Sequence, residues 1–391
     1  MLPAVIVGVA VVAFIVRGTS RLRDAALFAE DGQIFLAGAH NGGLGAIVEP
    51  YAGYLHVIPR LVSAVLDLAP LTAAPILYAA AAMTVHLGML TPALSSRLGW
   101  LIPTPLLRAV LFALLCLMPP MWEAYGNIAN LIFIGGICLL LLVLSTDPLT
   151  RVGRIAELAA VGLLGLSGPL IVIFLPLVAW RWWRNGRTSH SLTVGAVAVA
   201  SAVIQLAVYL TSERSTPGGG SPGLLVRTAY QRVGGSWLVG DANVFVDNLH
   251  PALTVAAGVW LVLAAAVTVF ALPRTAPVLW LMFAVLLGSA VNAYGQAMVA
   301  SSLHFQRHIM IPLAIVIVLL VAVLGSATRS WAKAVAALCL LAGVGGIAHD
   351  LIPAAYPYRP DLAGLEECVD SGAAECSQSI FDGDWTVVLT R

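Results

Sequence analysis

Long apolar runs without a charged side chain decide what this chain can become. The stretch 308–327, HIMIPLAIVIVLLVAVLGSA, passes twenty residues without Asp, Glu, Lys or Arg. A bilayer core of roughly 30 Å needs about 20 such residues in a helix. A spanning segment must also satisfy its backbone internally, as a helix or a closed barrel. Barrel strands would alternate in polarity, and these runs of Leu, Val, Ala and Ile do not. An all-α polytopic membrane protein is expected, with about nine full spans near 2–17, 71–93, 106–121, 126–145, 190–211, 251–272, 276–293, 308–327 and 333–350. The first lacks a basic leader and a small-residue cleavage site, so it reads as a retained anchor. Only 10 % of residues are charged and 60 % are hydrophobic. Soluble domains carry roughly 25 % charged residues, which excludes a water-soluble enzyme. The net charge of +1 offers no basic excess for nucleic acid.

Residues 155–182 read as a broken helical hairpin. Ser167-Gly168-Pro169 interrupts the run, and the residue before a proline is biased away from the helical region. Arg151 and Arg154 precede the first arm; Arg181, Arg184 and Arg187 close the second. Both ends therefore suit the cytoplasmic side, with the tip inside the membrane. The short loops holding Arg97, Arg108, Arg274, Arg329 and Lys333 fall on that side, opposed only by Asp147 and Glu157. The other face receives 18–70, the turn around Glu123, 212–250, 294–307 and a tail, 351–391, behind a multi-pass unit, 1–350. Cys368 and Cys376 sit in that tail, where an oxidising compartment permits a disulfide; Cys116, Cys138 and Cys339 lie in spans. A bacterial plasma membrane with the site facing outside is the expected setting.

Most acids lie in the outer loops, and 18–70 is the richest. Glu30 and Asp31 are adjacent, on a segment whose Phe28, Ile34 and Phe35 suggest a short interfacial helix. Neighbours on a helix point to different faces, so at most one should aim into a pocket. Tyr51, Tyr54, His56 and Arg60 recur at helical spacing, beside Glu49. Glu123, Tyr125, Asn127 and Asn130 form a further polar cluster, and Gln306-Arg307-His308 enters a span. Trp122, Trp180, Trp182 and Trp183 read as boundary residues, and 212–250, with Gly218, Gly219 and Gly220, as a flexible connector. No Walker lysine accompanies the glycines, so no nucleotide site is expected.

Three of these features resemble the GT-C superfamily of integral-membrane glycosyltransferases: the acidic pair after the first span, the stretch 162–184 with its Gly-Pro tip and terminal arginines, and the basic-aromatic entry at 306–308. The chain departs from many relatives at Ser167, at His308 and in its short tail. The resemblance implies a polyprenyl-phosphate-linked sugar donor, a lipid or glycan acceptor in the cell envelope, and an inverting transfer with one carboxylate as base. Such a transfer needs a carboxylate to accept the hydroxyl proton, alignment of the two substrates and a cation at the departing phosphate. Asp31 is the first choice as base and Glu30 the second, with loop anchoring as its other role. Arg307 is first choice for the donor phosphate, followed by Arg60 and His56. Tyr51, Tyr54, Glu123, Asn127, Asn130 and His304 are candidates for substrate contact. No metal ligands are assigned, although His304 and His308 are four apart and a divalent cation stays open as cofactor. Membrane lipids are the remaining partner. Two other readings fit the same residues: a transporter or flippase of lipid-linked saccharides, whose polar residues would sit halfway across, and a non-catalytic assembly subunit.

Overall fold

The computed structural model describes residues 1–212, 218–240, 251–300, 304–356, 358 and 362–390. Apolar continuity shapes most of it: 72 % of the described residues are helix and 4 % strand. Among the described residues, six helices are long and apolar enough to cross a membrane: Leu71–Leu94, Ser189–Leu210, Pro251–Ala271, Ala276–Tyr294, Arg307–Gly325 and Ser330–His349. Local signals set where several helices begin. Thr104, Thr150, Thr188 and Ser221 each accept a hydrogen bond from the backbone N–H three residues on, at 3.1–3.2 Å, which satisfies an orphan donor of the first turn. The helix from Arg307 is central. Every residue from Ile309 to Val323 is buried, as a helix apolar on all sides requires. Ser189–Leu210 and Pro251–Ala271 instead expose Val199, Val203, Leu206, Val255, Val259 and Val262.

Leu2–Arg17 forms with the expected bounds, and two other expected spans are shorter than predicted. Leu2–Arg17, Pro105–Cys116 and Leu131–Leu144 contain 16, 12 and 14 residues. Pro119-Pro120 and Gly126 stop the helices, and 117–130 becomes irregular although it is buried. Buried irregular backbone persists only where other protein groups satisfy it, and side chains from elsewhere do so. Arg17 donates to the carbonyls of Cys116 (3.2 Å) and Pro119 (3.1 Å). Arg21 donates to those of Tyr125 (3.2 Å) and Trp122 (2.7 Å). Gly126 has φ +76°, and a Cβ there would lie 2.8 Å from the Arg21 side chain, so glycine is required twice over.

The hairpin forms from Arg151–Gly165 and Leu170–Arg184, 15 residues each. At 1.5 Å per residue each arm is about 22 Å long, short of a full crossing. Its tip is tied to the first large loop: Val57 N donates to Leu166 O (3.3 Å) and Ile58 N to Ser167 Oγ (2.8 Å). Its open end is a buried polar knot. Glu157 accepts from Arg97, from Arg181 (2.9 and 3.1 Å) and from His190 (2.7 Å). Burial works against ionisation of Asp147, but bonds from Thr188, Ser191, Arg181 and Asn185 outweigh it and hold the carboxyl well below the usual range. Glu157→Ala leaves Arg181, 1 % exposed, with only its bond to Asp147 among the described residues and removes the buried carboxylate that Arg97 and His190 also meet. It is expected to lower stability by about 3–5 kcal/mol, read as a depressed unfolding midpoint in detergent micelles; an unchanged midpoint contradicts the assignment.

The stretches holding Arg97, Asp147 and Arg181 meet at this knot. Segments 18–70, 117–130 and the tail meet at the end remote from Glu157. The chain is not purely helical there. A helix, Leu362–Asp370, and an antiparallel hairpin, Glu375–Ile380 with Trp385–Thr390, are joined by the Cys368–Cys376 disulfide. The tail does not stand apart: Leu365, Ile380, Val387 and Leu389 share a core with Leu27, Phe28, Phe35 and Tyr78. Phe28 and Phe35 are thus buried in protein, which corrects the expectation of an interfacial helix.

The expectation for 212–250 also changes. Residues 222–239 run as one helical stretch with a π-turn at Ala229–Gly234. Trp237 is fully buried and donates its indole N–H to Cys339 O at 2.9 Å. Residues 213–217 and 241–250 of that loop, and 301–303 of the next, lie outside the described residues.

Candidate functional site

The acidic pair sits where the chain enters a π-helical turn, Asp31–Leu36, a wide turn that recurs at functional sites. Consecutive helical residues point roughly 100° apart, and the two acids part company accordingly. Asp31 is 1 % exposed, and its two oxygens accept from the backbone N–H groups of Ile128 (3.1 Å) and Ala129 (2.9 Å). It anchors the irregular segment 117–130 and lines neither cavity. Glu30 lines both cavities of this end, and its Oε2 is buried without a hydrogen-bond partner among the described residues. The roles expected from the sequence are therefore exchanged: the anchor is Asp31 and the available carboxylate is Glu30.

The larger cavity, about 580 Å³, is walled by Tyr51, Tyr54, His56, the hairpin tip at Pro169 and Leu170, and the helix entry at Arg307. Much of the rest is aliphatic, including Ile132, Ile173, Leu206, Leu286 and Ile311. The helical spacing expected over 51–59 does not form. Tyr51 and Tyr54 instead pair across a tight turn in which Ala52 and Gly53 have φ of 49° and 85°, and the helix begins at Val57. Gln205, within a spanning helix, holds that turn in place through Leu55 N (2.9 Å) and Leu55 O (3.3 Å). The turn stacks Tyr54 on His56, ring centroids 4.4 Å apart, against the cavity. It also sends Arg60 elsewhere: 4 % exposed, Arg60 donates to Ile34 O (3.2 Å) and Glu49 O (3.3 Å) and lies outside the cavity lining. Its position outside the lining goes against the expectation of a phosphate contact: in this structure it staples the loop.

Arg307 is held by Glu123. The guanidinium Nη1 lies 2.8 Å from Glu123 Oε1, and the backbone N–H of Arg307 donates to Oε2 at 3.1 Å. A guanidinium has five N–H donors, so this bond orients the group without exhausting it. Glu123 is itself positioned by Asn127 and Asn130, whose amides donate to its carbonyl at 2.7 and 2.9 Å. Asn127 is fully buried and outside both cavities, so the substrate contact expected of it gives way to a scaffold role; Asn130 also lines the larger cavity. His304 lines the smaller one. Burial raises the Glu30 carboxyl above the ordinary range; its own backbone bond and Arg307 oppose the shift, and Glu123 adds to it. Among the described residues no three of His, Cys, Asp and Glu converge on a metal position.

His308, of the expected 306–308 entry, faces the larger cavity. Other lining residues carried no expectation from sequence: Tyr209, Asn292 and Tyr294 face the larger cavity, and Phe381 and Trp385 of the tail face the smaller. Gln205 had a signal, a lone amide in an apolar run, which in a membrane marks a partner or a pathway. The tail aromatics had none, because nothing local says where a hairpin will dock.

The fold thus defines a helical membrane protein with an internal cavity at one end, bounded by a carboxylate and a paired guanidinium. Compared with protein-family models, with curated proteins and with solved structures, the chain matches none of them.

Proposed function

We propose that this end of the protein transfers a sugar from a polyprenyl-phosphate donor to an acceptor hydroxyl, in the manner of the GT-C enzymes. One observation carries the reading: Glu30, with an unengaged carboxylate oxygen, and Arg307 both line a lipid-compatible cavity and the chamber next to it. The aliphatic walls suit a prenyl chain. Arg307, oriented by Glu123, meets the phosphate. The acceptor oxygen bonds to the anomeric carbon while the bond from that carbon to the phosphate oxygen breaks, its electron pair leaving with polyprenyl phosphate. Glu30 takes the hydroxyl proton, and a single displacement inverts the anomeric centre. The leaving group is already acidic, so no second carboxylate is needed as general acid, unlike in glycosidases. The bacterial plasma membrane, an outward-facing site and a span count above six belong to the same proposal, supported by the arginine distribution and the tail disulfide.

The test is incubation of purified protein with labelled polyprenyl-phosphate sugar and cell-envelope acceptors across pH. Glu30 acts as base only when ionised, and burial raises its pKa. Transfer should therefore fall as pH drops through a value above the ordinary carboxylate range, and kcat/KM reports that limb for the free enzyme. An acid limb at the ordinary carboxylate value contradicts Glu30 as base. Movement of intact donor across a vesicle membrane without cleavage would favour the transporter.

A further inference from the structure

The smaller chamber, about 230 Å³, differs in kind from the cavity beside it. Phe28, Trp122, Phe305, Phe381 and Trp385 make up half of its lining, and among its described lining residues the one aliphatic side chain is Ala29. Its polar groups are Glu30, Glu123, His304 and Arg307. The Trp122 indole nitrogen is buried without a hydrogen-bond partner among the described residues. A prenyl or acyl chain would leave Glu30 Oε2 and the Trp122 indole N–H dry and without a hydrogen bond, which is costly. A sugar ring presents a flat C–H face to an aromatic ring and hydroxyls at its edge to carboxylate, imidazole and indole N–H. The chamber has room for one such ring.

The tail builds this chamber deliberately. Phe381 sits in the turn between the two strands with φ +38°, a conformation that costs a non-glycine residue energy and clusters at ligand sites. Its ring packs 5.0 Å from Phe28 and 5.7 Å from Tyr356. The strands are moored to the acidic segment. Thr386 N donates to Gln33 Oε1 (3.0 Å) and Thr390 N to Asn41 Oδ1 (2.8 Å). A Cβ on Gly32 would meet Ile380 at 2.3 Å, so the hairpin lies directly on the turn that carries Glu30.

We infer that this chamber is the acceptor subsite and that the acceptor is a saccharide, its ring against Phe381 and Trp385 and its attacking hydroxyl toward Glu30. The inference rests on the transfer reading and adds the acceptor's class and the tail's role. It is tested by measuring transfer from labelled polyprenyl-phosphate sugar to short soluble oligosaccharides, with wild type, Phe381→Gly, Phe381→Tyr and Trp385→Ala. Phe381→Gly relieves the positive φ while deleting a ring that also packs on Phe28 and Tyr356, so the donor KM measured alongside reports whether the fold survives. Phe381→Gly and Trp385→Ala should raise the acceptor KM at least tenfold against a donor KM that moves less than twofold, and Phe381→Tyr should restore it. Acceptor KM unaffected in both variants, or wild-type transfer only to lipid or polypeptide acceptors, would overturn the inference. Oligosaccharide binding is read separately, without donor, from tryptophan fluorescence. Saccharide binding that Trp385→Ala abolishes, in a protein that never cleaves donor, supports the chamber's assignment while refuting transfer. Donor cleavage with no saccharide binding refutes the chamber's assignment alone.

Discussion

Glu30→Gln is expected to slow sugar transfer by about 10²–10⁴-fold, the usual worth of a positioned general base, in a protein that still folds and binds donor. The substitution keeps the side chain's shape, and the deleted charge belongs to a carboxylate whose Oε2 has no partner among the described residues. Little structure depends on it. Asp31→Asn should behave in the opposite sense. Both Asp31 oxygens accept backbone N–H groups, and an amide sets a donor against one of those donors. A buried donor left unsatisfied costs about 1–3 kcal/mol, so the unfolding midpoint should fall while folded molecules keep transfer within a few-fold of wild type. Single-turnover transfer and thermal unfolding, measured on the same preparations, separate the two. A stable but inactive Asp31→Asn beside an active Glu30→Gln would reverse the assignment.

Arg307→Gln is the second large effect expected. Removing a preorganised donor from a site of developing charge costs about 10²–10³ in kcat. The variant also leaves Glu123, 5 % exposed in its side chain, without its cation, so stability should drop as well. Combining it with Glu123→Gln tells the effects apart, because residues in one ion pair are not additive. The double variant should regain much of the lost stability, with no buried charge left alone, yet stay as slow as Arg307→Gln. Recovery of rate together with stability would make Arg307 purely structural. Arg307→Lys should fall between, since an ammonium keeps the charge but not the planar fork.

Features that depend on local chemistry were readable in advance. The apolar runs, the Gly168-Pro169 break and the basic ends of the hairpin locate helices and group their loops whatever the tertiary detail. Spans 106–121 and 126–145 were overestimated because an apolar run does not reveal where Pro119-Pro120 and Gly126 let the backbone leave the helix; Arg17 and Arg21 make that departure tolerable from about 100 residues away in sequence. The same distance hid the division of labour at Glu30 and Asp31, because the amides that claim Asp31 lie 97 and 98 residues on. Tyr51–Arg60 looked helical by spacing, but the bonds from Gln205 to Leu55, 150 residues apart, hold a turn instead. The tail aromatics reach the acidic segment only through long-range docking of the hairpin.

The position of the donor's phosphate tests the roles of Glu30 and Arg307 most directly. An electron cryomicroscopy reconstruction of the full chain in lipid nanodiscs, with a non-cleavable phosphonate analogue of a polyprenyl-phosphate sugar, reads that position. The prediction is a phosphonate within hydrogen-bond distance of the Arg307 guanidinium, the prenyl chain along the aliphatic wall by Ile173 and Leu206, and the anomeric carbon facing Glu30. A phosphonate bound among the arginines around Glu157, or one whose sugar lies away from Glu30, would contradict it.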